Sequence, residues 1–380
     1  MKKALKLVGS FIIGAVGGFL LATIGVLLFT DIDLAHFLHS LKDTTFSLKG
    51  IGVGLFSLSA VIVSLVIHIF IHELGHLICG IATGYRFVSF RIFNIAFIKK
   101  EGKLCTKRFS IAGTGGQCLL APPDRPTEEI PTAIYNLGGV LANIAASLVA
   151  LPLLFIIENP LICTGITLFI IIGAAIALLN GIPMRIGGIG NDGYNMLLLH
   201  KNKYNKELLM LQLKANALAQ EGVRPKDMPT EWFQSDREMD YGNTFQIYTI
   251  LLKAARMLDK YEWESAHILL AETYEHKKEI MPLYANEIAC ELLFTSLITG
   301  REKSVQELYT PELAKYINTY RKLMSSKERL LCAIALYKEK ETEKAHKIYQ
   351  NLLKSKDNYL MQGEVASDIA IMEKILNHHI

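Results

Sequence analysis

Paired cysteines are missing from this 380-residue chain. Its six cysteines, Cys79, Cys105, Cys118, Cys163, Cys290 and Cys332, are scattered and form no CxxC pair. That excludes a disulfide framework or a zinc knuckle and leaves reduced, mostly buried thiols. No polybasic tract accompanies the net charge of +4, so nucleic acid is not the expected partner. After about residue 194 no stretch is long and apolar enough to cross a bilayer. Lys2, Lys3 and Lys6 precede an apolar run, but the run is long and no clear small-x-small cleavage site follows it. An uncleaved helix is therefore expected there, not a signal peptide.

What the first half does hold is apolar length. Four stretches are long enough to span, from about Leu7 to Phe29, Gly52 to Cys79, Ile134 to Ile157 and Leu161 to Ile182. Only Glu158-Asn159-Pro160 separates the last two, which predicts a tight helical hairpin. Positive charge sets the orientation. The lysine-bearing N-terminus and the loop 83–131, with Arg86, Arg91, Lys99, Lys100, Lys103, Lys107, Arg108 and Arg125, are expected in the cytosol. The loop 31–50, with His36 and His39, is expected outside, and everything past the fourth helix is expected in the cytosol. The chain thus divides into an N-terminal transmembrane helix and outer loop (1–50), a membrane core (51–200) and a cytosolic helical domain (201–380). The fold class expected is an all-α polytopic membrane protein with a small β-hairpin insert, followed by an α-helical domain.

Near the cytosolic end of the second stretch the sequence reads His72-Glu73-Leu74-Gly75-His76. Residues i and i+4 share a helix face, so both imidazoles can address one ion. Glu73 stands beside the first of them, where it can act as general base toward water. Three ionisable residues within five positions of an apolar helix are costly at membrane depth and point to a functional site. A catalytic zinc takes three protein ligands and keeps one position open. The fourth helix returns to the same side and is followed by Asn191-Asp192-Gly193, which makes Asp192 the best candidate for the third ligand. An Asp-Gly pair is also a common turn, and Gly193 allows a sharp one. His68, one turn before His72, reads as a packed or hydrogen-bonded histidine.

These residues, with Asn180-x-x-Pro183 ahead of Asp192 and Gly138-Gly139-Val140-Leu141-Ala142-Asn143 at the start of the third helix, resemble the site-2 protease family of zinc peptidases. The resemblance covers about residues 52–195. It implies one zinc ion held by His72, His76 and Asp192, with Glu73 as catalytic base. It also implies that Asn143 holds the substrate or the developing oxyanion, although an interhelical hydrogen bond is an equal reading of that amide. Residues 86–97 read as a strand and the piece after Lys103 as its return, with Gly115-Gly116-Gln117 and the proline-rich 121–124 as a loop. In similar enzymes such a hairpin adds a strand to an unwound substrate; a plain surface hairpin is the alternative. Two features depart from the family pattern. The spacer 184–191 is glycine-rich and carries Arg185, and the 158–160 turn leaves no room for a PDZ-like insert.

Residues 203–380 read as helices with short polar breaks. Three hairpin-like segments, 251–275, 291–317 and 329–354, carry Ala266, Val305 and Ala345 early in their second helices, 39 and then 40 residues apart by subtraction. This is loosely tetratricopeptide-like, the usual period being about 34, and such a surface suits a peptide or protein partner. The stretch 227–240 reads as an irregular lead-in. The function expected is zinc-dependent hydrolysis, near the cytosolic face, of a transmembrane or remnant signal-peptide substrate in the plasma membrane. A non-catalytic zinc-binding docking protein is the alternative, and Glu73 argues against it because no ligand role requires it. A metal transporter would show internal repeats around a midplane site, and the membrane half has none.

Overall fold

The computed structural model describes residues 48–100, 103–108, 115–186, 189–234 and 238–377. The first apolar stretch, His36 and His39 lie outside the described residues. Helix α1 (Leu48–Ala82) is apolar almost throughout. It stops at a Schellman turn, in which Tyr85 N–H reaches Gly80 O and Gly84 N–H reaches Ile81 O, both at 3.0 Å. Gly84 takes φ +91°, which a side chain would resist. The buried Tyr85 then leads the chain into a sheet.

That sheet has four antiparallel strands, β1 (Arg86–Ile92), β2 (Ile95–Lys100), β3 (Lys103–Arg108) and β4 (Gly116–Ala121), in the order β3-β2-β1-β4. It is larger than the single hairpin expected. Residues 86–97 do not form one strand: the chain turns at Phe93-Asn94, with Phe93 at φ 51°, and pairs Phe90 with Phe97. Nor is 115–117 a loop, because Gly116 and Gln117 pair with Ile92 and Arg91 of β1. The glycines masked the strand signal, since they carry no side chain to reveal its alternation.

Helix α2 (Thr132–Ala150) continues into a 3-10 turn at Leu151–Phe155, and α3 (Pro160–Gly181) follows at once. Asn159 Oδ1 accepts from the N–H groups of Leu161 (3.0 Å) and Ile162 (3.3 Å), and Pro160 begins the helix, where its missing N–H costs nothing. Three helices among the described residues are thus long and apolar enough to cross a membrane, within Ile51–Ala82, Thr127–Phe155 and Pro160–Gly181. Large apolar side chains on them, such as Leu55, Ile62, Leu148 and Leu178, are exposed, as a lipid-facing surface requires. After α3 a short hairpin, β5 (Arg185–Ile186) and β6 (Ile189–Gly190), leads to α4 (Asp192–Lys201).

The described chain falls into two compact units. The first holds the helix ends up to Ser64 and Ala150–Phe169. In it, hydroxyls at Ser57 and Ser59 bond back to carbonyls one turn earlier, which keeps these two groups paired on an apolar helix. The second unit holds Leu65–Val149 and everything from Ile170 on. Its first core joins Tyr85, Leu120 and Ile130 to Met210, Leu213 and Ala217 of α5 (Lys203–Gln220). Its larger core is built from α6 (Thr244–Asp259), α7 (Trp263–Glu275), α8 (Pro282–Ile298), α9 (Glu302–Leu308), α10 (Pro311–Tyr320), α11 (Ser325–Ala333), α12 (Thr342–Ser355) and α13 (Gln362–Asn377). Ala266, Val305 and Ala345 are all buried there, near the starts of α7, α9 and α12. The lead-in is fastened rather than loose: Arg256 donates to Met228 O at 2.6 Å and lies 4.6 Å over the Phe233 ring.

Candidate active site

The site begins with two helices that touch through glycine. A Cβ on Gly138 would lie 2.6 Å from Gly75 O, and one on Gly75 would lie 2.6 Å from Ala142 Cβ. Small residues of this kind let membrane helices approach backbone to backbone. The close approach brings α2 against the His72 face of α1. Gly139 then makes room for the ring, since a Cβ there would stand 2.6 Å from His72 Nδ1.

Asp192 arrives by a different device. Asn191 donates through Nδ2 to Leu179 O (2.7 Å) and Ile182 O (2.6 Å), closing the C-terminus of α3. Its Oδ1 accepts from Met184 N and caps α4 at Tyr194 N. One side chain thus ties the end of α3 to the start of α4 and holds Asp192 in the first position of that helix. Gly193 serves contact rather than a turn, because a Cβ would collide with Gly181 O and stand 3.2 Å from Asn180 O.

His72, His76 and Asp192 come together. His72 Nε2 and His76 Nε2 lie 3.2 Å apart, and Asp192 Oδ2 lies 3.1 Å from the first and 3.4 Å from the second. They form a group whose ligand atoms all fall within 4.8 Å. Ligands about 2.0–2.2 Å from a tetrahedral zinc stand about 3.3–3.6 Å from one another, and these separations lie within a few tenths of an ångström of that spacing.

Hydrogen bonding makes the same case. His76 Nδ1 lies 2.8 Å from Tyr135 O. A carbonyl only accepts, so Nδ1 carries the proton and the neutral ring turns an Nε2 lone pair inward. Asp192 Oδ2 is buried and accepts no hydrogen bond. Acceptor atoms this close repel unless a proton or a metal cation lies among them.

Glu73, half-buried, follows His72 directly. A Cβ on Gly116 would lie 2.6 Å from Glu73 Oε1, so the first residue of β4, an edge strand, packs on this carboxylate. Burial, and secondarily the nearby Glu73 charge, push the Cys118 thiol of β4 well above its ordinary range, which makes it inert. Asn143 is fully buried, with its amide 3.2 Å from His72 Nδ1 and 3.0 Å from His68 Nδ1. His68 is outside the metal-binding group and hydrogen-bonded. The sequence reading missed Tyr135 O, which acts through the backbone and leaves no residue-type signal. It also missed the clearance at Gly116 and Gly139, although Gly139 lies inside the glycine-rich segment singled out.

A family model, that of Peptidase family M50, matches residues 60–378. No curated protein matches the chain, and no solved structure does. Because the matched span runs from within the membrane helix that carries the histidines to just past the last residue of α13, the chain as a whole, and not the motif alone, belongs to peptidase family M50, the site-2 protease family of intramembrane metalloproteases.

Proposed function

We propose that this protein is a zinc-dependent endopeptidase that hydrolyses transmembrane segments or remnant signal peptides near the cytosolic face of the plasma membrane. The observation that carries the reading is the convergence of His72 Nε2, His76 Nε2 and an Asp192 oxygen without a hydrogen-bond partner, one residue from a carboxylate and within a helix fit to span. His72, His76 and Asp192 would hold the metal. When bound, zinc polarises the scissile carbonyl and makes water more acidic. Glu73 takes the proton of the attacking water and returns it to the leaving amine. β4 is an edge strand of the sheet and lies beside Glu73, and strand addition there would present an extended peptide bond next to the base. The basic loop between α1 and α2 supports a cytosolic setting for that end of the site and, with the first apolar stretch read as a further span, for both termini. The C-terminal helical pairs, read as a tetratricopeptide-like surface, would recruit a protein or peptide partner.

The test compares cells carrying the native protein with cells carrying Glu73→Gln. Cleavage should fall by about 10²–10⁴ while zinc content is kept. Single-pass membrane proteins that accumulate intact, with loss of their released fragments, identify the substrates. Unchanged cleavage by a zinc-loaded Glu73→Gln protein would remove Glu73 as the base. The absence of any accumulating membrane protein would favour the docking reading.

A further inference from the structure

The two candidate ligand histidines are held in different ways. His76 Nδ1 faces a backbone carbonyl, whose direction is fixed by the helix. His72 Nδ1 faces a side-chain amide, whose direction is not. In the structure Asn143 turns Nδ2 to His72 (3.2 Å) and Oδ1 to His68 (3.0 Å). A half-turn of the amide exchanges oxygen and nitrogen without moving either histidine.

The direction has a consequence for metal binding. A ring that gives the Nε2 lone pair to an ion carries its proton on Nδ1, and that N–H needs an acceptor. Asn143 meets the need only with Oδ1 toward His72. Its Nδ2 then points at His68 Nδ1 and donates, so His68 must present a lone pair there and carry its proton on Nε2. The opposite choice, an N–H on His68 Nδ1, holds the amide with Nδ2 toward His72 and sets two donors against each other. The three groups are closely held. His68 and Asn143 are fully buried, and Ser147 Oγ donates to Asn143 O at 2.9 Å. A Cβ on Gly173 would lie 2.6 Å from His68 Nε2, so α3 passes against the ring.

We propose that His68 and Asn143 form a positioning relay, in which His68 fixes the direction of the Asn143 amide and Asn143 in turn fixes the His72 tautomer that binds metal through Nε2. This rests on the zinc-peptidase reading of the site. It gives Asn143 a task on the far ring nitrogen of His72, with both ends of its amide engaged, in place of contact with substrate. It also gives a task to His68, a histidine that neither binds the ion nor touches the reacting atoms.

The test uses the full chain in detergent micelles with histidine-selective ¹⁵N labelling and one equivalent of zinc, and His68→Gln assigns the resonances. The relay requires an unprotonated Nδ1 on His68 and a protonated Nδ1 on His72; a protonated Nδ1 on zinc-loaded His68 overturns it. Zinc affinity, measured by competition with a chromophoric chelator, supplies the second readout. Asn143→Leu should weaken it about 10–100-fold, whereas Asn143→Asp, which still accepts the His72 N–H, should stay within about threefold. Native affinity in Asn143→Leu overturns the relay. A folded native protein that takes up no zinc overturns the peptidase-site reading and the relay with it, so the two failures are distinct.

Discussion

Among the described residues one cluster of buried polar groups lies at the membrane helices and another among the C-terminal helices, and they are balanced in opposite ways. In the C-terminal cluster every acid in the network has a base or a hydroxyl. Lys327 Nζ lies 2.7 Å from Glu287, Arg329 lies 2.6 Å from both Glu291 and Asp368, Tyr316 donates to Glu287 at 2.5 Å, and Ser325 donates to Asp368 at 2.6 Å. These carboxylates are all paired, although Arg329 Nη1 is buried without a hydrogen-bond partner, and the cluster's chemistry is that of structure. The membrane cluster instead sets one Asp192 oxygen, without a hydrogen-bond partner, against the Nε2 atoms of two histidines. A carboxylate and two imidazoles converging on one point can hold a cation, and on the proposed reading the contrast separates a functional burial of charge from a structural one.

The contrast can be broken from either side. Asp192→Ala removes a ligand, so zinc affinity should fall by more than about a hundredfold, since even an outer partner is worth 10–100-fold. Its melting temperature without metal should fall little, because the Asp192 oxygen at the cluster has no hydrogen-bond partner to lose; metal analysis and a thermal melt on the same sample check both. Lys327→Met does the reverse. It strands Glu287 in the core and should cost about 3–5 kcal/mol of stability, while a double variant that also replaces Glu287 with Leu should recover most of that loss. A denaturant titration measures the pair. If the Lys327→Met protein is as stable as the native one, the C-terminal cluster is not the closed network described.

The site was more legible in the sequence than the sheet that covers it. His72 and His76 are one helical turn apart, so spacing alone puts them on one face, and the positive loop puts Asp192 at the same end of the membrane. What joins them is harder to see. Asn191 holds Asp192 through bonds to carbonyls of α3, and a backbone carbonyl at Tyr135 orients His76; neither leaves a trace in residue type. The sheet was read as one hairpin because Phe93 and Asn94 carry no glycine or proline to mark the turn between β1 and β2, while Gly115-Gly116 carries the wrong mark, that of a loop. In the C-terminal half the helices and the buried Ala266, Val305 and Ala345 followed from periodicity. The ion pairs did not, because partners such as Glu287 and Lys327 are 40 residues apart and nothing local pairs them.

The smallest expected effect lies at the margin of the closed network. A cavity of about 200 Å³ there is lined by Glu364, Asp368, Glu287 and Arg329 together with apolar residues such as Leu251 and Ala255. Glu364 is the acid left over. Its side chain is open to the cavity rather than packed in the core; enclosure by the surrounding helices first, and then the charges of Asp368 on its own helix and of Glu287 and Glu291 on α8, raise it from 4.5 to about 7, with Lys327 of α11 opposing. An acid raised in the fold holds its proton more tightly there than in the unfolded chain. Its contribution to stability is therefore complete below pH 4.5 and is lost as pH rises through about 7. Asp368 is raised too, burial being the largest cause, and it shifts the balance the same way. The native melting temperature should fall across this interval, and Glu364→Gln, which cannot ionise, should fall less. Parallel melting curves for the two proteins from pH 4.5 to 8 would mean that Glu364 is balanced after all, and that the C-terminal cluster has no acid to spare.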